Sequence, residues 1–281
     1  MSNGWPAGFP FVANRFSLRT MISSTLDLAR FGGVARLYGM DGLQKLAAAH
    51  VAIIGVGGVG SWTAEALVRS GIGRLTLIDL DDVCVTNVNR QLPALDGQIG
   101  KSKVEVIAER MEKINPAVRC DQVLEFLTET NADRLLDGNF SFVIDAVDRM
   151  SIKALIVSKC VDRGTPVLTV GGAGGRRDLT QIEVGDLGIT GGDLLLKQVR
   201  KKLRRDYGWE KGNNQLYGVA AVYSAEPQMF PWSNGEVCDT KEPESNLTMD
   251  CASGFGAACF LTGAFGFAAA GEVVRQLTTS A

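Results

Sequence analysis

The chain has 281 residues, 46% of them hydrophobic and 21% charged, with a formal net charge of −2. That composition reads as a globular protein of one large or two intimate domains, and it excludes nucleic-acid binding through a global basic field, leaving only a local patch. Six cysteines without a CxxC pair, beside a single histidine, argue against a structural zinc site and for free thiols in a reducing cytoplasm.

Residues 1–25 read as a flexible extension with no basic segment ahead of an apolar core, hence a poor signal peptide, with Met21 as an alternative start. Arg30 to Leu46 is predicted as a helical lead-in carrying Arg36, which as a long cation is by default a surface residue. Then Val51-Ala-Ile-Ile runs into Gly55-Val-Gly57-Gly58-Val-Gly60, and a helix-like segment follows from Ser61 to Arg69. This strand–turn–helix context is what a dinucleotide fingerprint requires: one glycine for the turn, one for close approach of phosphate, one for helix-on-strand packing. Alone, in a chain with 33 glycines, the motif also fits a tight turn without ligand.

The next segment shifts the balance. A second apolar strand, Leu75 to Ile78, ends at Asp79, where an acid meets a ribose hydroxyl. Beyond it come Asp81, Asn89, Arg90, Gln91 and, at the start of another helix, Lys103. An arginine fork and a lysine point charge suit a triphosphate, and a spare acid suits Mg²⁺. The competing reading is a solvated charged loop, which leaves unexplained why these charges gather on the ligand side of the sheet.

Lys103 to Ile114 has helical spacing and stops at Asn115-Pro116. Val118–Val123 is a predicted strand, Asn131–Leu136 a short helix, Phe142–Ile144 a buried strand, Ser151–Asp162 a helix and Pro166–Val170 another buried strand. Such alternation implies an α/β fold: a Rossmann-like, doubly wound, mostly parallel sheet with its sites at the carboxyl ends of the strands. Asp148 then lies on the ligand edge, or else caps the helix that follows.

Gly171-Gly-Ala-Gly-Gly175 leaves a strand end on the same edge, with room for something bulky, and is followed by Arg176 and Arg177. The run Lys197 to Arg205 is the only dense basic stretch, and Lys201, Lys202, Arg204 and Arg205 are expected near one helix face, either as a phosphodiester-binding patch or as a solvated face. Ser224 to Asp250 reads as a mobile crossover loop carrying Cys238, a thiol with no basic neighbour in sequence to activate it. Cys251 to Ala270 is free of charge but rich in Ala and Gly, so a helix buried in the protein is expected in place of a membrane span.

Four stretches carry a family resemblance: Arg30–Gly39, Asp81–Gln91, Gly171–Gly175 and Met249–Gly256. Over roughly Leu26 to Leu277 the chain resembles the E1-like adenylating family, which includes ubiquitin-activating enzymes and bacterial activators of sulfur-carrier proteins. The last two stretches are similar to the subgroup of dehydratases acting on threonylcarbamoyladenosine in tRNA. The resemblance implies ATP and Mg²⁺ as cofactors, with Gly55, Gly57, Gly58, Gly60, Asp79, Asp81, Asn89, Arg90, Gln91 and Lys103 around the nucleotide. It makes Asp148 the catalytic, Mg²⁺-associated acid. It sends Arg36 to a triphosphate, often across a dimer interface, so a homodimer is expected. It implies adenylation of the threonylcarbamoyl carboxylate and intramolecular ring closure, with tRNA held by Arg176, Arg177 and the basic run. The organisation expected is an extension over 1–25, an ATP-binding domain over 26–178, and a C-terminal α+β extension over 179–281. Other readings are an activator of a small sulfur-carrier protein using Cys238, with a cysteine-desulfurase or sulfur-acceptor partner, and an NAD-dependent dehydrogenase or nucleotide-sensing module.

Overall fold

The computed structural model describes residues 26–211, 215–243 and 255–279. The 1–25 extension and residues 249–254 of the Met249–Gly256 stretch lie outside the described residues. In chain order the elements are α1 (Leu28–Ala48), β1 (His50–Ile54), α2 (Gly58–Arg69), β2 (Arg74–Ile78), α3 (Lys103–Ile114), β3 (Arg119–Val123), α4 (Ala132–Leu135), β4 (Phe142–Asp145) and α5 (Met150–Asp162). There follow β5 (Val167–Val170), β6 (Ile182–Asp186), α6 (Leu194–Asp206), β7 (Ala220–Ser224), β8 (Phe230–Pro231), β9 (Val237–Cys238) and α7 (Cys259–Thr279).

Seven strands form one sheet in the order β3-β2-β1-β4-β5-β7-β6, parallel throughout except for β6, which pairs antiparallel with β7. β1 is buried along its whole length, and its alternate residues serve opposite faces. Val51 and Ile53 join a core with α2, α3 and α7, while Ala52 and Ile54 join one with α4, α5 and α6. That two-sided burial is why the strand reads as a continuous apolar run without alternation. The chain leaves β1 toward β2 on one side and returns to β4 on the other, so strand order reverses there. A crevice opens at such a point outside the carboxyl ends of the strands.

The 178/179 boundary falls within this sheet, since β6 and β7 extend the edge begun by β5. β6 itself was not anticipated. Its Ile-Glu-Val-Gly-Asp sequence is short and nowhere fully buried, as an edge strand of an antiparallel pair can be. The Ser224–Asp250 stretch, expected as a loop, holds the β8–β9 hairpin, with Phe230 opposite Cys238. In the charge-free stretch the helix begins at Cys259 and continues past Ala270 to Thr279. No helix among the described residues is long and apolar enough to cross a membrane.

Candidate active site

The four fingerprint glycines do four different things. Gly55 adopts φ +86, the left-handed turn that ends β1, and a Cβ there would sit 2.9 Å from the Ala146 carbonyl oxygen. At Gly60 a Cβ would lie 1.9 Å from the Gly55 carbonyl oxygen, so α2 can rest on the turn only without a side chain. Gly58 faces the Thr262 methyl group, 3.1 Å from where its Cβ would be. Gly57 is the N-cap of α2 with no side-chain hydrogen bond, and a Cβ there would meet only Gln91 Nε2, at 3.6 Å. The first turn of α2 is therefore uncapped and approachable, an anion site made of backbone N–H groups and the positive end of the helix dipole.

Asp79, at the end of β2, is buried and works as a tie. Its Oδ2 accepts the Val56 N–H at 2.7 Å and its Oδ1 the Asp81 N–H at 2.9 Å, joining the glycine turn to the loop after β2. Each carboxylate oxygen keeps a further lone pair that can serve a ribose hydroxyl. Asp81 accepts from Lys103 Nζ at 2.7 Å, and its carbonyl takes the Lys103 backbone N–H. The Lys103 side chain is 7% exposed and that of Asp81 52%, so the ammonium sits beneath a carboxylate that faces water. Ser102 caps α3 and fixes where Lys103 begins it.

Arg90 is half-buried and held at both ends. Its Nη1 donates to the Thr86 carbonyl at 2.7 Å and to Asn89 Oδ1 at 3.0 Å. Its own carbonyl accepts Thr262 Oγ1 at 2.9 Å and Trp62 Nε1 at 3.3 Å. Asn89 Nδ2 donates to the Ala257 carbonyl at 2.8 Å. Gln91 is buried with Oε1 unpartnered. Asp148 is exposed on the loop between β4 and α5. The alternative role as a helix cap is absent, because the N-cap of α5 is Arg149 and no side chain caps it.

Glycine turn, Asp79, Asp81, Lys103, Arg90, Asn89, Gln91 and Asp148 thus all belong to the carboxyl-end loops of β1, β2 and β4. Arg36 lies elsewhere. It is exposed on α1 ahead of the break at Gly39, with its guanidinium over Gly32 and Gly33 of its own helix.

Several expectations for the tRNA side change. The Gly171–Gly175 loop is not vacant: added Cβ atoms would meet Asp193 Oδ2 at 2.3 Å from Gly171, Phe255 Cβ at 2.9 Å from Gly174 and the Met229 carbonyl oxygen at 2.8 Å from Gly175. The glycines admit other parts of the same chain, side chain and backbone alike, and Gly172 keeps more space, its nearest neighbour being Gln228 Nε2 at 3.5 Å. Arg176 is buried, its side chain 0% exposed, so it offers no surface to RNA; burial lowers its pKa, offset in part by Asp193 and Glu226. Arg177 is exposed, its backbone N–H anchored on Glu226. On α6 the exposed basic stripe is Lys197, Lys201 and Arg205, whereas Arg204 and Lys202 are half-buried. Asp206 pairs with both Lys202 and Arg205.

Cys238 is half-buried in the hairpin. The one histidine, His50, stands at the opposite end of β1, bonded to Thr76 and held low in pKa chiefly by burial. No imidazole is at hand to activate a nucleophile. Among the described residues no three carboxylate, thiol or imidazole groups cluster to hold a metal. A lone exposed Asp148 nonetheless fits Mg²⁺, which keeps several waters and is bound by one or two carboxylates together with substrate phosphates.

Sequence reasoning missed a buried knot: Asp145, Lys153 and Thr169. A lone lysine in a helix reads as surface, and no spacing rule joins it to Thr169 on another strand.

Residues 33–280 match the ThiF family model. A tRNA threonylcarbamoyladenosine dehydratase of Escherichia coli (strain K12) is 47% identical over 253 residues, covering 90% of this chain and 94% of that protein. The Haemophilus influenzae protein of the same name is 47% identical over 248 residues, covering 88% and 93%. A solved structure titled TcdA (CsdL) superposes with a TM-score of 0.82 at 45% identity, over 89% of this chain and 94% of its own. The E. coli dehydratase in complex with ATP gives a TM-score of 0.79 at 42% identity, over 92% and 97%. With nearly its whole described length matched by the family model and by these relatives, the chain belongs to the ThiF family.

Proposed function

We propose that this protein is an ATP-dependent tRNA threonylcarbamoyladenosine dehydratase. The observation that carries the reading is the near full-length similarity to the two bacterial dehydratases, on a chain that carries Asp148, Arg90 and Lys103 at the same sheet edge as the uncapped α2 terminus. The substrate's carboxylate attacks the α-phosphorus of ATP; an acyl adenylate forms and pyrophosphate leaves. The carbamoyl group of the same nucleoside then displaces AMP and closes a ring, so the oxygen lost as water departs on AMP. Because the nucleophile is part of the substrate, none is required of the enzyme, in keeping with the distance of His50 from this edge.

In this reading the α2 N–H groups and Arg90 receive the phosphates, and Lys103 exchanges Asp81 for a phosphate oxygen. Asp79 receives the ribose. Asp148 would hold Mg²⁺, which when bound would supply positive charge beside the phosphates. Arg36 reaches the triphosphate of a second copy of the chain, which accounts for its lying apart from the site within one chain. The exposed Leu37, Tyr38 and Met40 beside it provide apolar surface for that homodimer. Residues 26–178 supply the nucleotide site, while 179–281 supply the tRNA face through Arg177 and the stripe on α6. The reaction takes place in the cytoplasm.

The test is purified protein with threonylcarbamoylated tRNA, ATP and Mg²⁺. Mass analysis of the nucleosides is expected to show a species lighter by one water, with stoichiometric AMP. Unchanged nucleoside, or tight NAD binding that displaces ATP, overturns the reading.

A further inference from the structure

The exposed Asp148 lies in the stretch of chain between the two members of an ion pair from which water is wholly excluded: Lys153 and Asp145 side chains are both 0% exposed. Asp145 is the last residue of β4 and pairs in register with Thr169 of β5. Its Oδ2 accepts Lys153 Nζ at 3.0 Å and Thr169 Oγ1 at 2.6 Å, and its Oδ1 accepts the Val147 N–H at 3.3 Å. Lys153 Nζ also reaches the Asp145 carbonyl at 3.4 Å. One lysine in the first turn of α5 thus fastens both the carboxylate and the carbonyl of a residue eight positions earlier, closing a loop whose exposed members are Asp148 and Arg149.

The loop is tied sideways as well. The Ala146 N–H donates to the Ile54 carbonyl at 2.9 Å, and the Ala146 carbonyl is the atom that a Cβ on Gly55 would strike. The segment that leads from the knot to Asp148 is thus tied to the end of β1 and to the glycine turn. A buried ion pair contributes little to stability, since desolvation offsets its attraction and apolar residues of similar volume often do as well or better. What such a pair supplies that an apolar pair cannot is direction. Charged partners with fixed donors tolerate only a narrow arrangement of the chain between them.

We infer that Asp145, Lys153 and Thr169 are positioning residues that hold Asp148 at the reaction centre, an inference resting on the adenylating role assigned above to Asp148.

The experiment compares four proteins in pyrophosphate exchange with modified tRNA, varying Mg²⁺: unmodified, Asp148→Asn, Thr169→Val, and the apolar triple Asp145→Leu/Lys153→Met/Thr169→Val. Circular dichroism, thermal melting and metal-free ATP binding are measured on each. The triple variant is expected to fold and to bind metal-free ATP within about twofold of the unmodified protein. Its kcat is expected to fall about a hundredfold, the scale for displacing a reacting group by about 1 Å, while half-saturating Mg²⁺ rises. Thr169→Val, which keeps both charges and its shape, is expected to lose roughly tenfold in kcat, for one charge-assisted bond. A folded triple variant with kcat and Mg²⁺ dependence near those of the unmodified protein overturns the inference. If the triple variant fails to fold, an unaltered Thr169→Val does the same. Full exchange activity in Asp148→Asn sinks the role of Asp148 itself and this inference with it. Loss there beside an active triple variant sinks only the positioning.

Discussion

The Lys103–Asp81 pair makes a prediction in which stability and nucleotide affinity rank two substitutions in opposite orders. Lys103 is buried at 7% side-chain exposure, Asp81 half open at 52%, and they meet at 2.7 Å. Asp81→Ala leaves an ammonium under protein with its best acceptor gone. Removing one partner of a fully buried pair costs about 3–5 kcal/mol; with water reaching Asp81, roughly 2 kcal/mol is expected here. Lys103→Met removes the buried charge and keeps the stem, and the carboxylate left behind can hydrate, so the cost stays within about 1 kcal/mol. For ATP the order reverses. Lys103→Met forfeits a charge-assisted bond of about 1.5–3 kcal/mol, ten- to hundredfold in affinity, whereas Asp81→Ala frees the lysine for phosphate. Urea unfolding with matched m-values gives the first ranking and ATP titration the second. If Lys103→Met destabilises the fold as much as Asp81→Ala, the argument from burial is wrong.

Gly57→Ala is expected to leave the melting temperature nearly unchanged while weakening ATP binding, because a Cβ there has space but faces the phosphate side; Gly60→Ala, 1.9 Å from a carbonyl oxygen, should destabilise the fold as well. Differential scanning fluorimetry with and without ATP separates the two. Burial pushes Glu65 up, but hydrogen bonds from Arg110 and Arg69 outweigh it and hold the carboxyl below its usual 4.5. Its stabilisation is therefore complete above that value and is lost as pH falls through the lower native pKa, so Glu65→Gln should flatten the acid limb of a stability–pH curve. Thiol titration at pH 8 should modify exposed Cys84, whose pKa is lowered foremost by the Thr86 hydroxyl, well before Cys120 and Cys160, which burial pushes up to about 12. Lys197→Ala/Lys201→Ala should flatten the salt dependence of tRNA binding by about one to two units of log–log slope; an unchanged slope would mean that α6 presents only a solvated face.

The nucleotide half of the molecule was legible because its signals are local. A β-branched run, three glycines at fixed offsets and an acid at the next strand end describe one strand–turn–helix and its neighbour. The failures share a cause, which is that sequence shows that something approaches but not what. Gly171, Gly174 and Gly175 do permit close contact, but from Asp193, Phe255 and Met229, residues distant in the chain. Arg176 and Arg177 look alike in sequence, yet backbone anchoring of Arg177 on Glu226 leaves one guanidinium inside and the other out. The Asp145–Lys153–Thr169 knot needed the β4–β5 register, which no periodicity reports. For Asp148 the ligand-edge reading was preferred on the family resemblance, and the structure removes the competing cap reading because Arg149 is the N-cap of α5.

The contact between α2 and α7 has a consequence for the order in which the site is assembled. The two helices run side by side in the same direction, Gly58 against Thr262 and Trp62 against Gly266, and Thr63 donates to the Gly266 carbonyl across 203 positions of sequence. The carbonyl of Arg90 takes one donor from each helix. During synthesis the glycine turn, Asp79 and Arg90 all leave the ribosome well before α7 exists. At roughly 5–20 residues per second, the intervening chain occupies some ten to forty seconds. Throughout that time the outer face of α2 has no cover and Arg90 has only half its grip. A nascent chain thus carries every residue proposed to hold the nucleotide before the helix that covers α2 and completes the hold on the Arg90 carbonyl has been made.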